Sequence, residues 1–434
     1  MDKMADVLGR AGAWCGQNKY LSAIKNAFQN FMPLTIAGAI GVLWCNVLVN
    51  DQTGLGLFFK PIMALDFLNP AFQAVNFCTI SCITVGITLG IAQEIGVWNM
   101  GAERAGYIPG LVGLAAWLSV TNTSHMVDGA KEAFTGIAGN ELGATGLFTG
   151  MIIGVLSVEL FCFFEKQDAL KIKMPEQVPP GVARAFEVLV PATITLIITA
   201  CIGSACYNLT GLYLNDVIKN GIQGPLGAVG ATIPGVMIIY LVIMLFWLVG
   251  IHGNNMLSAV KEALFTPLAL ENVEKFNKGE KPTNIINMYA LQMWGEFGGS
   301  GVTIGLVIAI MIFGKREDNK AIATLSLVPG LFNINETVTF GIPMVLNPIL
   351  GIPFVFACLV TILVGYVLTV IGFCPVACLT VPWTTPPLVF GFLATGANIM
   401  GAVTQAILIV VSTVIYTPFL IAYEKYQNKQ AAEV

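Results

Sequence analysis

Residues 327–348 read LVPGLFNINETVTFGIPMVLNP. The stretch has the length and apolar content of a membrane helix, yet a plain span would not carry it. Pro329, Gly330, Gly341, Pro343 and Pro348 interrupt the apolar pattern, and Glu336 stands among Asn333, Asn335 and Thr337. Irregular backbone at membrane depth is tolerated only where it is buried in protein or lines a watery cavity. A carboxylate there is costly unless it has a task or a partner, and so marks a functional site by default. The stretch reads as a re-entrant hairpin carrying a functional Glu336. The competing reading of the carboxylate is a structural ion pair or a carboxyl kept neutral by burial.

The rest of the chain supports a membrane setting. Of 434 residues, 56% are hydrophobic and 11% charged, against about a quarter charged in ordinary soluble domains. Mean hydropathy is +0.78. Long apolar runs fall near 27–49, 71–92, 105–121, 142–164, 185–209, 229–250, 302–314, 322–346, 352–373 and 396–422, which is about ten spans. Glycine-rich runs such as Val85 to Gly90 and Gly146 to Gly154 suit close helix packing in lipid. Most cysteines, among them Cys45, Cys78, Cys82, Cys162, Cys201, Cys206, Cys374 and Cys378, lie in apolar runs and form no disulfide framework or zinc pattern. No P-loop occurs, so the chain does not drive itself with ATP through one. The first 26 residues hold no uninterrupted apolar stretch, so no cleaved signal peptide is expected. No metal, cofactor or nucleic-acid partner is expected.

Basic residues cluster at Lys3, Arg10, Lys19 and Lys25; at Lys166, Lys171, Lys173 and Arg184; at Lys275, Lys278 and Lys281; at Lys315, Arg316 and Lys320; and at Lys425 and Lys429. The intervening loops hold single lysines, Lys60, Lys131 and Lys219. The positive-inside rule then puts both termini in the cytoplasm, with an even number of crossings. Between 211 and 228, apolar Leu212, Val217, Ile218 and Ile222 alternate with Asn215, Asp216, Lys219 and Asn220 at helical spacing, as in an amphipathic surface helix. It divides the chain into a regular half, 1–210, and an irregular half, 229–434.

Interrupted apolar segments are the best pointer to a transport site, and the second half holds three more. WLVGIHGNN (247–255) places His252 between two glycines and before Asn254 and Asn255, which favours a cavity-facing donor and acceptor over a packed core histidine. In TVPWTTPPLVFGFLATG (380–396), Trp383 is held by Pro382, Pro386 and Pro387. It is either a platform for a sugar ring or an interfacial belt residue. MWGEFGGSGVTIGL (293–306) carries Glu296, Gly298, Gly299, Ser300 and Gly301. Glycine backbone can approach a ligand closely, but a hinge or tight helix contact is the favoured reading. Lys261 and Glu262 are expected to form a solvated or interfacial pair at a helix end, with no chemistry. Glycosylation motifs at Asn122 and Asn208 are read as chance.

GIHGNN, NINE with GIPMVLNP, GGSG, PPGVARAFEVLVPA (179–192) and VPWTTPP with its downstream ATG occur in one order and spacing along nearly the whole chain. Together they resemble the IIC permease of the lactose, cellobiose and diacetylchitobiose branch of the sugar phosphotransferase system. The resemblance implies an all-α polytopic protein of about ten transmembrane helices, with two re-entrant hairpins and the interfacial amphipathic helix, acting as a homodimer in the lipid of the bacterial inner membrane. The first half would be the dimer scaffold and the second would hold and carry the sugar.

It further implies that a disaccharide is phosphorylated on its 6-hydroxyl as it reaches the cytoplasm. The donor would be the phosphocysteine of a separate IIB protein, charged in turn by a phosphohistidine IIA protein. His252 and Glu336 match the pair that contacts that hydroxyl, and Trp383 an aromatic near the rings. Asn254, Asn335 and Ser300 are candidate substrate ligands. Which of His252 and Glu336 is the base stays open. Thr337 stands where the family commonly has proline, so the hairpin is expected to differ in shape there. A proton-coupled transporter using Glu336 and His252 as a relay is the alternative from another class, with a passive channel or a membrane sensor behind it.

Overall fold

The computed structural model describes residues 10, 14, 17–51, 56, 59–125, 134–175, 177–225, 230–342, 344 and 347–433. Lys3, Lys131, Pro343 and the end of the amphipathic segment, 226–228, lie outside the described residues. Among the described residues five helices are long and apolar enough to cross a membrane, or up to seven if each of two bent pairs is one span, and two shorter apolar helices accompany them. The chain is an all-helical polytopic membrane protein. A two-residue antiparallel ladder, Ser124 with Thr135 and His125 with Phe134, is the sole strand pairing among the described residues.

The chain divides into two compact units. One comprises Gln17–Gly38 and Val75–Gly227; the other includes Ala39–Ala74 and Ala228–Val434. Segment 39–74 thus groups with the C-terminal half.

In the first unit, helix α1 (Lys19–Leu43) contributes its N-terminal part. It is followed by α2 (Ile83–Met100), α3 (Ile108–Val120), α4 (Ala144–Glu165) and α5 (Pro180–Thr210). Helices α2, α3 and α4 pack on one another through Ile87, Ile91, Ile95, Trp117, Leu147 and Val158, all buried. Small residues set the spacing: a Cβ at Gly150 would lie 2.2 Å from the Thr88 hydroxyl. The PPGVARAFE motif has a structural explanation. Arg184 and Arg104 both reach the buried Glu165, at 2.9 Å each, and both also pair with Glu187. A carboxylate so placed needs such partners. The amphipathic segment forms α6 (Leu214–Ile218), continued by one wider turn, with Asn215 accepting the Thr149 hydroxyl at 2.6 Å.

The second unit holds α7 (Ile233–Leu248), α8 (Gly253–Met256), α9 (Ser258–Asn277), α10 (Met288–Gly295), α11 (Ile304–Phe313) and α12 (Glu317–Leu331). After these come α13 (Glu336–Gly341), α14 (Gly351–Val370), α15 (Val389–Ala394) and α16 (Ile399–Glu433). Two apolar runs depart from a plain-span reading. The run that begins at 322 is, over its described residues to 342, a helix, a turn and a short helix, as Pro329, Gly330 and the polar tip require. The run at 302–314 is the second arm of a broken element whose first arm begins at Met288, the two bent by 59° across the glycine loop. The unit's core is the buried α10, with Leu291, Met293 and Trp294, and the inner face of α11.

Candidate functional site

Helix α7 ends at Leu248 and the chain turns through Gly250, at φ +79°, into α8. His252 occupies the position just before α8, and its Nδ1 accepts the Asn255 N–H at 3.3 Å. The imidazole thereby does the work usually done by Ser, Thr, Asp or Asn at a helix start. Trp247 packs on the ring, centroids 4.4 Å apart, with Phe354 edge-on behind Trp247. The next residue has to be glycine, because a Cβ at 253 would lie 2.0 Å from the Ile243 carbonyl oxygen. The ring is fixed on one nitrogen and one face, which leaves Nε2 free to act.

Nε2 lies 4.0 Å from Glu336 Oε1, and the two side chains are 40% and 48% exposed. That separation is too long for a direct hydrogen bond, but one hydroxyl oxygen can sit about 2.8 Å from each. Glu336 opens α13 at the end of the turn 332–335, and two amides of that turn, with Asn254 beside them, tie the site to the glycine loop. Asn333 takes φ +63°, a conformation asparagine tolerates better than most residues. Its Oδ1 accepts the Gly298 N–H at 2.6 Å, while its Nδ2 donates to the carbonyls of Trp383 and Thr385. Asn335, buried, donates to the Ser300 carbonyl at 2.7 Å. Asn254 donates to the Ser300 hydroxyl at 3.1 Å.

The glycine loop is therefore the hub that joins the three interrupted segments. Gly298, Gly299, Gly301 and Val302 all take positive φ. A Cβ at Gly299 would strike the Asn335 side chain at 2.5 Å. The loop is anchored from outside by Tyr416, whose hydroxyl donates to the Gly301 carbonyl at 2.7 Å. Gln405, also on α16, accepts the Leu388 and Gly391 N–H groups and so holds the segment after Trp383.

The residues singled out in the sequence are brought together, in different capacities. His252 and Glu336 face one another across a hydroxyl-sized gap. Trp383 is 44% exposed beside the hairpin turn, tied by its backbone to Asn333. Ser300 and Asn335 are nearly closed off, and their polar groups are spent on tying turns together. Asn254 Oδ1 is buried with no hydrogen-bond partner among the described residues. The Lys261–Glu262 expectation needs correction. Lys261 is buried in the first turn of α9 because α9 faces α10, and it pairs with Glu296, not with solvent. Glu262 is turned to the Thr266 hydroxyl one turn along the helix. The keystone roles of Asn333 and Gln405 were not singled out; the signal for Asn333 was an asparagine just after a Pro-Gly helix end. Thr337 lies in the first turn of α13, where backbone N–H groups lack intrahelical acceptors. Proline and threonine fit such a position alike.

The family model described as "Phosphotransferase system, EIIC" matches residues 25–358. The chain is 33% identical to the oligo-beta-mannoside-specific EIIC component of Bacillus subtilis, over 98% of this chain and 94% of that one. It is 29% identical to the cellobiose-specific EIIC component of Lactococcus lactis, over 98% of each. Among solved structures it is similar to the transporter ChbC, the IIC component of an N,N'-diacetylchitobiose-specific phosphotransferase system, with a TM-score of 0.88, 29% identity and 97% coverage of both chains.

Proposed function

The chain belongs to the EIIC family of the phosphotransferase system, and from that premise we propose that it carries a β-linked disaccharide on the His252–Glu336 pair while the sugar's 6-hydroxyl is phosphorylated. As an EIIC protein it is a multi-pass membrane permease that works on a sugar with IIA and IIB partners. The β-linked class is supported by the relatives named for cellobiose, oligo-beta-mannoside and diacetylchitobiose.

The observation that carries the reading is the fixed orientation of His252. Its Nδ1 accepts a backbone N–H, so in the neutral ring the proton resides on Nε2. Nε2–H can then donate to the sugar oxygen but cannot take a proton from it. Glu336, on the opposite side of the gap, is the group that can. The hydroxyl oxygen attacks the phosphorus of a IIB phosphocysteine, the S–P bond breaks, the thiolate leaves, and the hydroxyl proton passes to Glu336. Phosphoryl transfer of this kind depends mostly on positioning and charge management. Trp383, 44% exposed, offers an indole face to a ring. Phosphorylation traps the sugar, so accumulation needs no ion gradient. The comparisons do not favour the proton-relay alternative.

The first half, 1–210, acts in this reading as the scaffold of a homodimer, the second, 229–434, as the sugar carrier, with both termini cytoplasmic. The test is uptake of labelled cellobiose, lactose and diacetylchitobiose by cells making this protein, with and without IIA and IIB, and with an uncoupler. Sugar phosphate that requires the soluble proteins and survives the uncoupler is the expected result. Free sugar accumulating in an uncoupler-sensitive way would overturn it.

A further inference from the structure

One charged cluster has no part in the scheme above. Glu296 stands at the end of α10, just before the glycine loop, and one of its oxygens, Oε1, takes two partners from two other helices. Lys261 of α9 donates its ammonium to it, and Tyr240 of α7 donates its hydroxyl at 2.7 Å. The lysine also lies 5.5 Å from the Tyr240 ring centre. The lysine and glutamate side chains are 7% and 17% exposed, so the pair is largely withdrawn from water.

Stability is a weak reason to keep such a pair, since well-packed apolar residues of similar volume often serve as well or better. Its place in the fold suggests another. The Glu296 carbonyl accepts the Gly299 N–H at 3.0 Å, which fixes the first turn of the glycine loop. The loop's next residue, Ser300, holds Asn254, two residues from His252, and Asn335, adjacent to Glu336. A single residue thus joins α7 and α9, which flank the His252 segment, through its carboxylate, and the loop that sets both halves of the site through its carbonyl.

We propose that Glu296, clamped by Lys261 and Tyr240, is a positioning residue that sets the gap between His252 and Glu336 through the glycine loop. The inference rests on the reading of that gap as the sugar site. Small misplacements at reacting groups cost about a hundredfold in rate, so the clamp governs sugar affinity and turnover more than it governs folding.

The full chain in detergent, assayed for disaccharide binding and for IIB-dependent phosphorylation, provides the test. Tyr240→Phe removes one hydrogen bond and leaves no charge behind. It should raise KM about fivefold with a thermal midpoint lowered by only about 1–3 °C, the share of a single hydrogen bond in a chain of this size. The paired Lys261→Met/Glu296→Leu variant removes both charges together. It should unfold no earlier than wild type, yet bind sugar at least about tenfold more weakly and turn over more slowly. Lys261→Arg should retain most of the activity. Wild-type KM and kcat in either Tyr240→Phe or the paired variant would overturn the proposal, and if the paired variant fails to fold, Tyr240→Phe decides alone. A wild-type chain that binds none of the β-disaccharides would overturn the sugar-site reading, and the positioning role with it. A wild-type chain that binds sugar beside unaffected variants would overturn only the positioning role.

Discussion

Asn333 Oδ1 accepts the Gly298 N–H at 2.6 Å, and through this bond the turn that presents Glu336 is locked to the glycine loop. The same side chain holds the backbone on either side of the Trp383 turn. Asn333→Ala removes these bonds and puts a Cβ residue without a local hydrogen bond at φ +63°. A loss of about 2–4 kcal/mol follows from the lost bonds and the left-handed backbone together. Asn333→Gly relieves the backbone and not the bonds, so it should recover part of the thermal stability while sugar binding stays weak. Thermal unfolding and calorimetric titration of the two variants check this.

Glu336→Gln keeps the size and hydrogen-bonding capacity of the side chain but cannot accept the hydroxyl proton. Phosphorylation should fall by about a hundredfold to ten-thousandfold, the usual worth of a general base, with sugar binding reduced far less. Equal loss of binding and turnover would assign Glu336 to anchoring instead.

His252→Gln offers an amide donor in place of Nε2–H but loses the ring that Trp247 stacks on and the Nδ1 acceptor that starts α8. Sugar affinity should drop by about tenfold, one hydrogen bond to a positioned group. Some phosphorylation should survive, because the proton acceptor remains. Complete loss of turnover with intact binding would make the histidine the base.

Gly253→Ala forces a Cβ to within 2.0 Å of the Ile243 carbonyl, a backbone atom with no freedom to withdraw. The expected cost is about 2 kcal/mol or more, seen as a lowered thermal midpoint together with loss of sugar binding.

Thr337→Pro should leave folding and transport within about threefold of wild type, since the first helical turn asks nothing of that N–H. A large loss would show that the threonine hydroxyl, exposed beside Glu336, is itself used.

The broken segments were legible because each violates a rule that lipid imposes. A glutamate among asparagines and prolines within an apolar run does not suit a lipid-facing helix, and a histidine set between glycines at the end of a span favours a cavity over ordinary packing. What each residue does within those segments was less legible. Ser300, Asn335 and Asn254 share the polar, small character of sugar ligands, yet two of the three spend their groups on one another's turns. Lys261 reads as a surface residue in any sequence window, because nothing local reveals that Glu296 will face it from another helix.

By itself the sequence determined the membrane setting, the helical class, the positions of the breaks and the chemical types of the pair. These follow from hydropathy, from proline and glycine, and from the cost of burying charge, all of which act over a few residues. The tertiary structure alone decided that Nε2 of His252 meets Glu336 across 4.0 Å and that Nδ1 is already engaged. It also decided that the Asn333 side chain and the Glu296 carbonyl accept the N–H groups of Gly298 and Gly299 in the glycine loop. Those are distances between segments remote in the chain, and they exist only once α7, α9, α10 and the hairpin have packed.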